Sequence, residues 1–352
     1  MTSTSGRLRV VASTPISEDL IAQIVRTEPR IDFIRDQSLL PPQRFAGDHS
    51  GDPSFQRTPA QQTAFDELVD SAEALYGVPD EKPASLARTA QANPALRWVH
   101  TMPAGGGAQV KAAGLADADL GRVAFSTSAG VHAEPLAEYA VFGLLAAAKN
   151  LPRLLAQQQN TQWTGRWEMG LISQQRILLV GLGSIGRATA IKLKALGATV
   201  IGTSRSNNPV TGVDEIVHPE DLADAVQDVD GIVVTLPGTA ATEGLVSADI
   251  FAKVKPGVTV VSVGRGTVID EAAIIDALAD GRVGFAALDV FASEPLNPQS
   301  PLWHDPNVLI SPHTAALNSA EDRLIAQLIA RNATRFLDGQ ELINRVDTVE
   351  FY

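Results

Sequence analysis

The stretch Ile177-Leu178-Leu179-Val180-Gly181-Leu182-Gly183-Ser184-Ile185-Gly186-Arg187 constrains this chain more than any other. An apolar, β-branched run enters a Gly-x-Gly-x-x-Gly turn and continues as Ala188–Leu196, where helix formers recur at helical spacing until Gly197 stops them. The pattern predicts a strand, a tight turn and a helix start. Gly181 permits the sharp exit from the strand, Gly183 lets backbone approach a pyrophosphate, and Gly186 lets helix and strand pack closely. The first N–H groups of the helix, with Ser184 and Ile185 among them, then face an anion. A second strand, Thr199-Val200-Ile201-Gly202, follows at the distance a βαβ unit requires, which turns a weak six-residue pattern into a dinucleotide-binding expectation.

The end of that second strand bears on which dinucleotide. Folds that bind NAD usually place an acid here to accept hydrogen bonds from the adenosine ribose, whereas this chain reads Thr203-Ser204-Arg205-Ser206-Asn207. A carboxylate about 4 Å from a phosphate would cost on the order of 4 kcal/mol at an effective dielectric of 20, and an arginine there gains a similar amount before screening. The balance favours NADP over NAD. Arg205 would fork onto the 2′-phosphate, with Ser204 and Ser206 adding hydroxyl donors. The alternative is a solvated arginine stacked on adenine.

With 352 residues, 45% of them hydrophobic, the chain has enough apolar side chains for more than one packed domain. No apolar run of about 18 residues occurs, and Met1–Arg9 lacks a secretory apolar segment, so a cytoplasmic protein without a membrane span is expected. The absence of cysteine excludes disulfides, thiolate metal sites and a thiol nucleophile. A net charge of -12 argues against nucleic acid as a partner.

Upstream, strands at Leu8–Ala12, Arg30–Arg35, Glu73–Val78, Leu96–Thr101 and Val123–Ser126 alternate with helices at Ser17–Arg26, capped by Ser17, and Pro59–Ser71, and with a further helix before Leu96. Pro41–Pro59 reads as a surface excursion. A Gly-rich turn at Ala104–Gly107 precedes helix Gln109–Leu115. His132–Leu151 reads as one long helix, apolar almost all round and so buried between domains or subunits. A linker with Trp163 and Trp167, expected to pack, leads to the dinucleotide unit. Its later strands are Gly231–Leu236, Thr259–Val263, Gly284–Val290 and Val308–Ile310, followed by an amphipathic helix, Ser319–Leu337, and a tail, Asn344–Tyr352. The alternation implies parallel sheets wrapped by helices.

Ligands of open α/β sheets sit at the carboxyl ends of strands. Three chemically apt residues stand there: Arg265 in Val263-Gly264-Arg265-Gly266, Glu294 in Asp289-Val290-Phe291-Ala292-Ser293-Glu294, and His313 in Ser311-Pro312-His313. Singly, each is an ordinary loop residue; together they suit hydride transfer between a nicotinamide and an α-hydroxy acid. His313 would hold or release the substrate proton, Glu294 would orient the imidazole, and Arg265 would grip the carboxylate and polarise the carbonyl. Of the other histidines, His100 is expected to be packed at a cleft edge, His132 to start a helix, and His49, His218 and His304 to be exposed. Glu138 is expected in a buried helix pairing, and no metal site is expected.

These segments, with Leu288-Asp289-Val290-Phe291, Glu294-Pro295-Leu296 and Gly130-Val131-His132-Ala133-Glu134-Pro135, resemble the D-isomer-specific 2-hydroxyacid dehydrogenases. The resemblance implies two Rossmann-like α/β domains with parallel sheets separated by a cleft. A flavodoxin-like substrate domain would comprise 1–127 and 319–352, and a dinucleotide-binding domain 128–318. It implies Arg265, Glu294 and His313 as catalytic residues, Asp289 on the nicotinamide carboxamide, and a homodimer built on the coenzyme domains. Leu236, Pro237, Thr242, Val263, Gly264 and His313 join the glycine turn as candidate dinucleotide contacts. Ala104, Gly105 and Gly106 would meet the substrate carboxylate as a backbone anion nest alongside Arg265 and His313. Ser262 replaces the family's frequent Asn, and the 102–107 turn departs from the family pattern, so side-chain substrate contacts do not carry over.

The Thr203–Ser206 ending is similar to that of NADPH-preferring glyoxylate and hydroxypyruvate reductases, which implies oxidoreductase action on a CH–OH group, run as 2-oxo acid reduction. A phosphoglycerate dehydrogenase is disfavoured by the short chain after Leu337 and the lack of a basic pocket near Ala104–Gly107; a formate dehydrogenase is disfavoured because that branch carries Gln where Glu294 stands. A non-catalytic NAD(P) sensor is the reading from another class.

Overall fold

The computed structural model describes residues 6–351 and divides them into two compact units; the polar start at 1–5 and Tyr352 lie outside the described residues. The first unit runs to His132 and resumes at Leu317. It contains β1 (Leu8–Ala12), α1 (Glu18–Thr27), β2 (Ile31–Ile34), α2 (Pro59–Asp70), β3 (Ala74–Tyr76), α3 (Pro83–Ala92), β4 (Trp98–Thr101), α4 (Gly107–Ala112), α5 (Asp117–Arg122) and β5 (Ala124–Thr127). All strands are parallel in the order β2-β1-β3-β4-β5, the flavodoxin-like arrangement. The central strands β1, β3 and β4 are buried along nearly their whole length, whereas β2 is an edge with Asp32 exposed.

The second unit, Ala133–Ala316, contains α6 (Ala133–Ala148), α7 (Leu151–Gln159), β6 (Arg176–Val180), α8 (Ser184–Ala195), β7 (Thr199–Thr203), β8 (Glu215–Val217) and α9 (Leu222–Ala225). It continues with β9 (Gly231–Val234), α10 (Ala248–Phe251), β10 (Val258–Ser262), α11 (Glu271–Ala279), β11 (Val283–Leu288) and β12 (Val308–Ile310). Its seven strands are parallel, ordered β12-β11-β10-β9-β6-β7-β8, a doubly wound sheet whose order reverses beside β6. The chain then returns to the first unit as α12 (Glu321–Leu337), whose Ile325, Ile329 and Ala333 join that unit's core.

Several sequence expectations need correction. The helix foreseen over His132–Leu151 is two helices: Asn150 adopts φ 53°, its side chain accepts the Arg153 N–H, and Pro152 sits in the first turn of α7, where its missing N–H is no loss. α6 packs on α8 and the β10–β11 face of its own unit, leaving Phe142 exposed. Ser17 occupies the cap position of α1 without a side-chain bond. β8 went unread because three residues, none fully buried, make no apolar run. Trp163 does not pack and is fully exposed, whereas Trp167 lies 4.0 Å below the Arg153 guanidinium. The tail at 344–351 is not loose: Arg345 bridges Ser126, and Val346 is buried.

The 41–58 excursion is more than surface. Asp48 is buried against the Arg44 guanidinium, and Asp322 of α12 accepts the Gly47 N–H and a Gln43 side-chain N–H. His49, expected to be exposed, has a side chain only 10% accessible and stands 3.5 Å from Glu321. His132 Nε2 bonds the same carboxylate oxygen at 2.9 Å. Burial alone would push the Glu321 carboxyl up, but the bonds and charges of His132 and His49 outweigh it and hold the group down at about 2. His100 is fully buried between Ser126 (2.8 Å) and Ser128 (3.1 Å). Burial, with the charge of His49, holds its imidazole down at about 3.

Candidate active site

β6 leaves the sheet at Gly181, whose φ of 109° a side chain would resist. The Gly181 N–H donates to Thr203 Oγ1 at 2.9 Å, which ties the turn to the end of β7. A Cβ on Gly186 would collide with the Gly181 carbonyl, whereas one on Gly183 would have no neighbour within 4 Å. Close packing on one side and open space on the other leave the uncapped start of α8, at Ser184 and Ile185, free to receive an anion. At the end of β7, Ser204 Oγ accepts the Ser206 N–H (3.1 Å) and Ser206 Oγ the Asn208 N–H (3.2 Å). These serine turns present Arg205 outward, with no salt bridge among the described residues.

β10, β11 and β12 lie side by side with Ser262, Leu288 and Ile310 in register, so Arg265, Glu294 and His313 leave the same edge of the sheet. The loops that carry them are fused by backbone contact. A Cβ on Gly266 would run into the Phe291 carbonyl, and one on Gly264 into Leu236. Glu294 Oε1 accepts the Phe291 N–H at 3.0 Å, and its Oε2 lies 2.7 Å from His313 Nδ1. Both side chains are partly open, 35% and 43% accessible. Because Nδ1 faces the carboxylate, Nε2 is left to meet a ligand. Arg265 is also exposed, but its guanidinium donates to the Gly264 carbonyl (2.8 Å) and bonds neither Glu294 nor His313.

Asp289, only 1% exposed, holds the histidine loop. Its Oδ1 accepts the Ser311 hydroxyl (2.6 Å) and the N–H groups of Thr314 (3.0 Å) and Ala315 (3.1 Å), and its carbonyl accepts the His313 N–H (2.9 Å). The contact implied for it with a nicotinamide carboxamide would therefore fall to Oδ2. Ser311 also meets the Tyr139 hydroxyl at 2.9 Å. Neither residue is singled out by the sequence, although Ser311 lies in the Ser311-Pro312-His313 string that carries the family resemblance.

Other expected contacts divide. Thr242 braces its loop by donating to the Pro237 carbonyl (2.6 Å), Leu236 is half-buried, and Pro237 is exposed. Val263 points into the core, so only its backbone faces the site. In the first unit Ala104 and Gly105 are exposed, but no residue of 102–107 is left-handed and the Gly106 N–H donates to the Pro103 carbonyl (3.2 Å). Of the three amides expected to meet a carboxylate, that of Gly106 is thus already bonded within the turn. Glu138 is not buried either: its side chain is 71% accessible, 3.7 Å from Lys192. Among the described residues no group of three His, Asp or Glu is arranged for a metal, and no helix is long and apolar enough to cross a membrane.

Residues 141–315 match the D-isomer specific 2-hydroxyacid dehydrogenase, NAD binding domain. A glyoxylate/hydroxypyruvate reductase A of Yersinia enterocolitica is 31% identical over 218 residues, 61% of this chain and 68% of that protein. The chain belongs to the D-isomer specific 2-hydroxyacid dehydrogenase family. It thus falls among NAD(P)-dependent oxidoreductases that act on the CH–OH group of small 2-hydroxy acids. A D-3-phosphoglycerate dehydrogenase of Mycobacterium tuberculosis is 37% identical over 189 residues, 53% of this chain but only 36% of that longer protein. The crystal structure of a D-isomer specific 2-hydroxyacid dehydrogenase from Xanthobacter autotrophicus Py2, in complex with NADPH and MES, superposes with a TM-score of 0.75 at 29% identity. The match covers 99% of this chain and 100% of that one.

Proposed function

We propose that this family member is an NADPH-dependent reductase of small 2-oxo acids of the glyoxylate and hydroxypyruvate type. In this reading the second unit holds the dinucleotide and the first the substrate. The observation that carries the catalytic part is the 2.7 Å contact between Glu294 and His313 Nδ1, which leaves Nε2 aimed away from its orienting carboxylate. His313 Nε2 gives the proton that the substrate oxygen needs as it becomes a hydroxyl. Glu294 fixes the ring. Arg265, once its guanidinium leaves the Gly264 carbonyl, pairs with the substrate carboxylate and polarises the adjacent carbonyl.

The residues present fit a dinucleotide phosphate. Gly183 opens on free space, the start of α8 lacks a side-chain cap, and the strand end at Thr203–Ser206 carries a cation and no acid. When bound, the nicotinamide supplies the hydride. Ser204, Arg205 and Ser206 take the 2′-phosphate and thereby select NADPH over NADH. The Yersinia relative's name and the NADPH complex of the Xanthobacter protein support this choice of substrate class and cofactor. Phe142, Leu155, Trp163, Met169 and Leu171 are exposed apolar side chains of the second unit and support a homodimer built on it.

Purified protein should oxidise NADPH in the presence of glyoxylate or hydroxypyruvate and do so less efficiently with NADH. Ser204→Asp should shift the ratio toward NADH by about tenfold or more, since one misplaced charge is worth over 1.4 kcal/mol here. Turnover of 3-phosphohydroxypyruvate alone would favour the phosphoglycerate reading. No turnover with any 2-oxo acid would leave a nucleotide sensor.

A further inference from the structure

The imidazole proposed to deliver the proton sits in a costly conformation. His313 has φ 51°, a left-handed setting that a non-glycine residue keeps only where its surroundings hold it there. Something must over-determine it. Backbone bonds do so: the His313 N–H is shared between the Asp289 and Ser311 carbonyls (2.9 and 3.0 Å), and the next two N–H groups, of Thr314 and Ala315, go to Asp289 Oδ1. The Asp289 side chain thus holds the backbone that carries the imidazole, while Glu294 orients the ring itself.

The Asp289 carboxylate is in turn met by a side-chain donor, the Ser311 hydroxyl at 2.6 Å. A carboxylate only accepts, so the Ser311 proton goes first to Asp289, and the same hydroxyl also points at the Tyr139 oxygen 2.9 Å away, which holds Ser311 from the other side. Tyr139 projects from α6, a helix packed on the β10–β11 face, so it refers the loop to the rigid body of the sheet. Burial pushes the Tyr139 phenol up, with the Ser311 bond opposing, which keeps its proton in place near neutrality.

We infer that Ser311 and Tyr139 are positioning residues for proton delivery, acting on His313 through Asp289. The inference rests on the proposed role of His313. Neither hydroxyl touches the imidazole, and neither is offered as a reacting group. Their deletion should loosen the ring without emptying the dinucleotide site, because the glycine turn and the Ser204–Ser206 segment lie on other strands.

The test compares wild type, Ser311→Ala, Tyr139→Phe and Ser311→Thr. Hydroxypyruvate reduction by Ser311→Ala should lose about tenfold in kcat, equal to ~1.4 kcal/mol, the worth of one hydrogen bond to a charged group. Tyr139→Phe should lose about threefold, Ser311→Thr should recover most of the activity, and KM for NADPH should change by less than about twofold throughout. The pH profile of kcat should shift in the Ala and Phe variants, which a purely structural defect would not cause. An unchanged kcat and pH profile in Ser311→Ala overturns the inference, as does a loss that Thr fails to rescue while the thermal midpoint falls.

A second measurement does not need turnover. In wild type the His313 ring nitrogens, with Nδ1 held against Glu294, should give one defined imidazole ¹⁵N resonance pair, and Ser311→Ala should broaden it. An unaltered resonance overturns the inference even if no 2-oxo acid is reduced, whereas inert wild type with a broadened variant signal sinks only the catalytic reading.

Discussion

Two imidazole–carboxylate pairs of nearly equal length have opposite surroundings. Glu294 and His313, 2.7 Å apart, stand on loops beyond the carboxyl ends of β11 and β12, 35% and 43% accessible. Glu321 and His132, 2.9 Å apart, join the first turn of α12 to the residue before α6, and are 3% and 12% accessible. In the open pair the carboxylate takes Nδ1 and leaves Nε2 free for a ligand; in the closed pair Nε2 itself is consumed, and His49 crowds the same oxygen. On the proposed reading the same two functional groups therefore serve proton transfer in one place and cohesion in the other. Accessibility and the choice of ring nitrogen make the difference.

The sharpest way to break the contrast is to remove each member in turn. His313→Ala should cut reduction about 10²–10⁴-fold, the usual weight of a positioned acid–base group, with NADPH affinity by titration little changed. Affinity lost in proportion would make His313 a nucleotide ligand instead. Glu321→Gln should do the reverse: urea unfolding should show about 3 kcal/mol less stability, because two imidazoles lose their buried anion, while kcat per folded molecule holds. A Glu321→Gln enzyme with full stability would mean that the closed pair contributes nothing to cohesion.

Acid should separate the two regions next. The buried His100 takes its proton only near pH 3 in the folded chain, against an ordinary value of 6.5 when unfolded. Below pH 6.5 the unfolded state thus binds a proton the folded state refuses, and stability falls by about 1.4 kcal/mol per pH unit until about 3. Glu321 acts in the same sense lower down: its contribution is complete above about 4.5 and disappears toward about 2. Urea midpoints at pH 7, 5.5 and 4.5 should decline along this slope, and His100→Gln should flatten it above pH 5. Parallel slopes for variant and wild type would remove His100 from the account.

How much of this was readable beforehand depends on sequence distance. The strand, glycine turn and helix at 176–195 lie within one local pattern, and each glycine answers to a nearby steric need. Strand ends that emerge side by side in a parallel sheet explain why Arg265, Glu294 and His313, far apart in sequence, reach one edge. By contrast, nothing in spacing joins His49 to Glu321, because their approach exists only after α12 has returned to the first unit. Hence His49, in a stretch rich in Pro, Gly and Asp, looked like a solvated loop residue. The break at Asn150 was hidden for a different reason: apolar residues continue through it, and only the left-handed cap and Pro152 reveal a restart. In the 102–107 segment the glycines announce a turn, but the capture of the Gly106 N–H by the Pro103 carbonyl is settled only by the folded backbone.

The smallest expected effect fixes the zero of the comparison. Lys192 of α8 lies 2.8 Å from Glu134 and 3.7 Å from Glu138 of α6, and both carboxylates are about 70% accessible, at 69% and 71%. The hydrogen bond to Glu134, opposed by slight desolvation, holds the Lys192 amine above its ordinary range, yet water competes for every charge in the group. Glu138→Ala should accordingly change unfolding free energy by less than about 1 kcal/mol, and by nothing measurable in molar salt. Glu134 would still neutralise Lys192, and no buried partner would be orphaned. A loss matching that of Glu321→Gln would show that burial is not what distinguishes the closed pair, and the division between an exposed, acting histidine and an enclosed, anchoring one would have to rest on ring-nitrogen geometry alone.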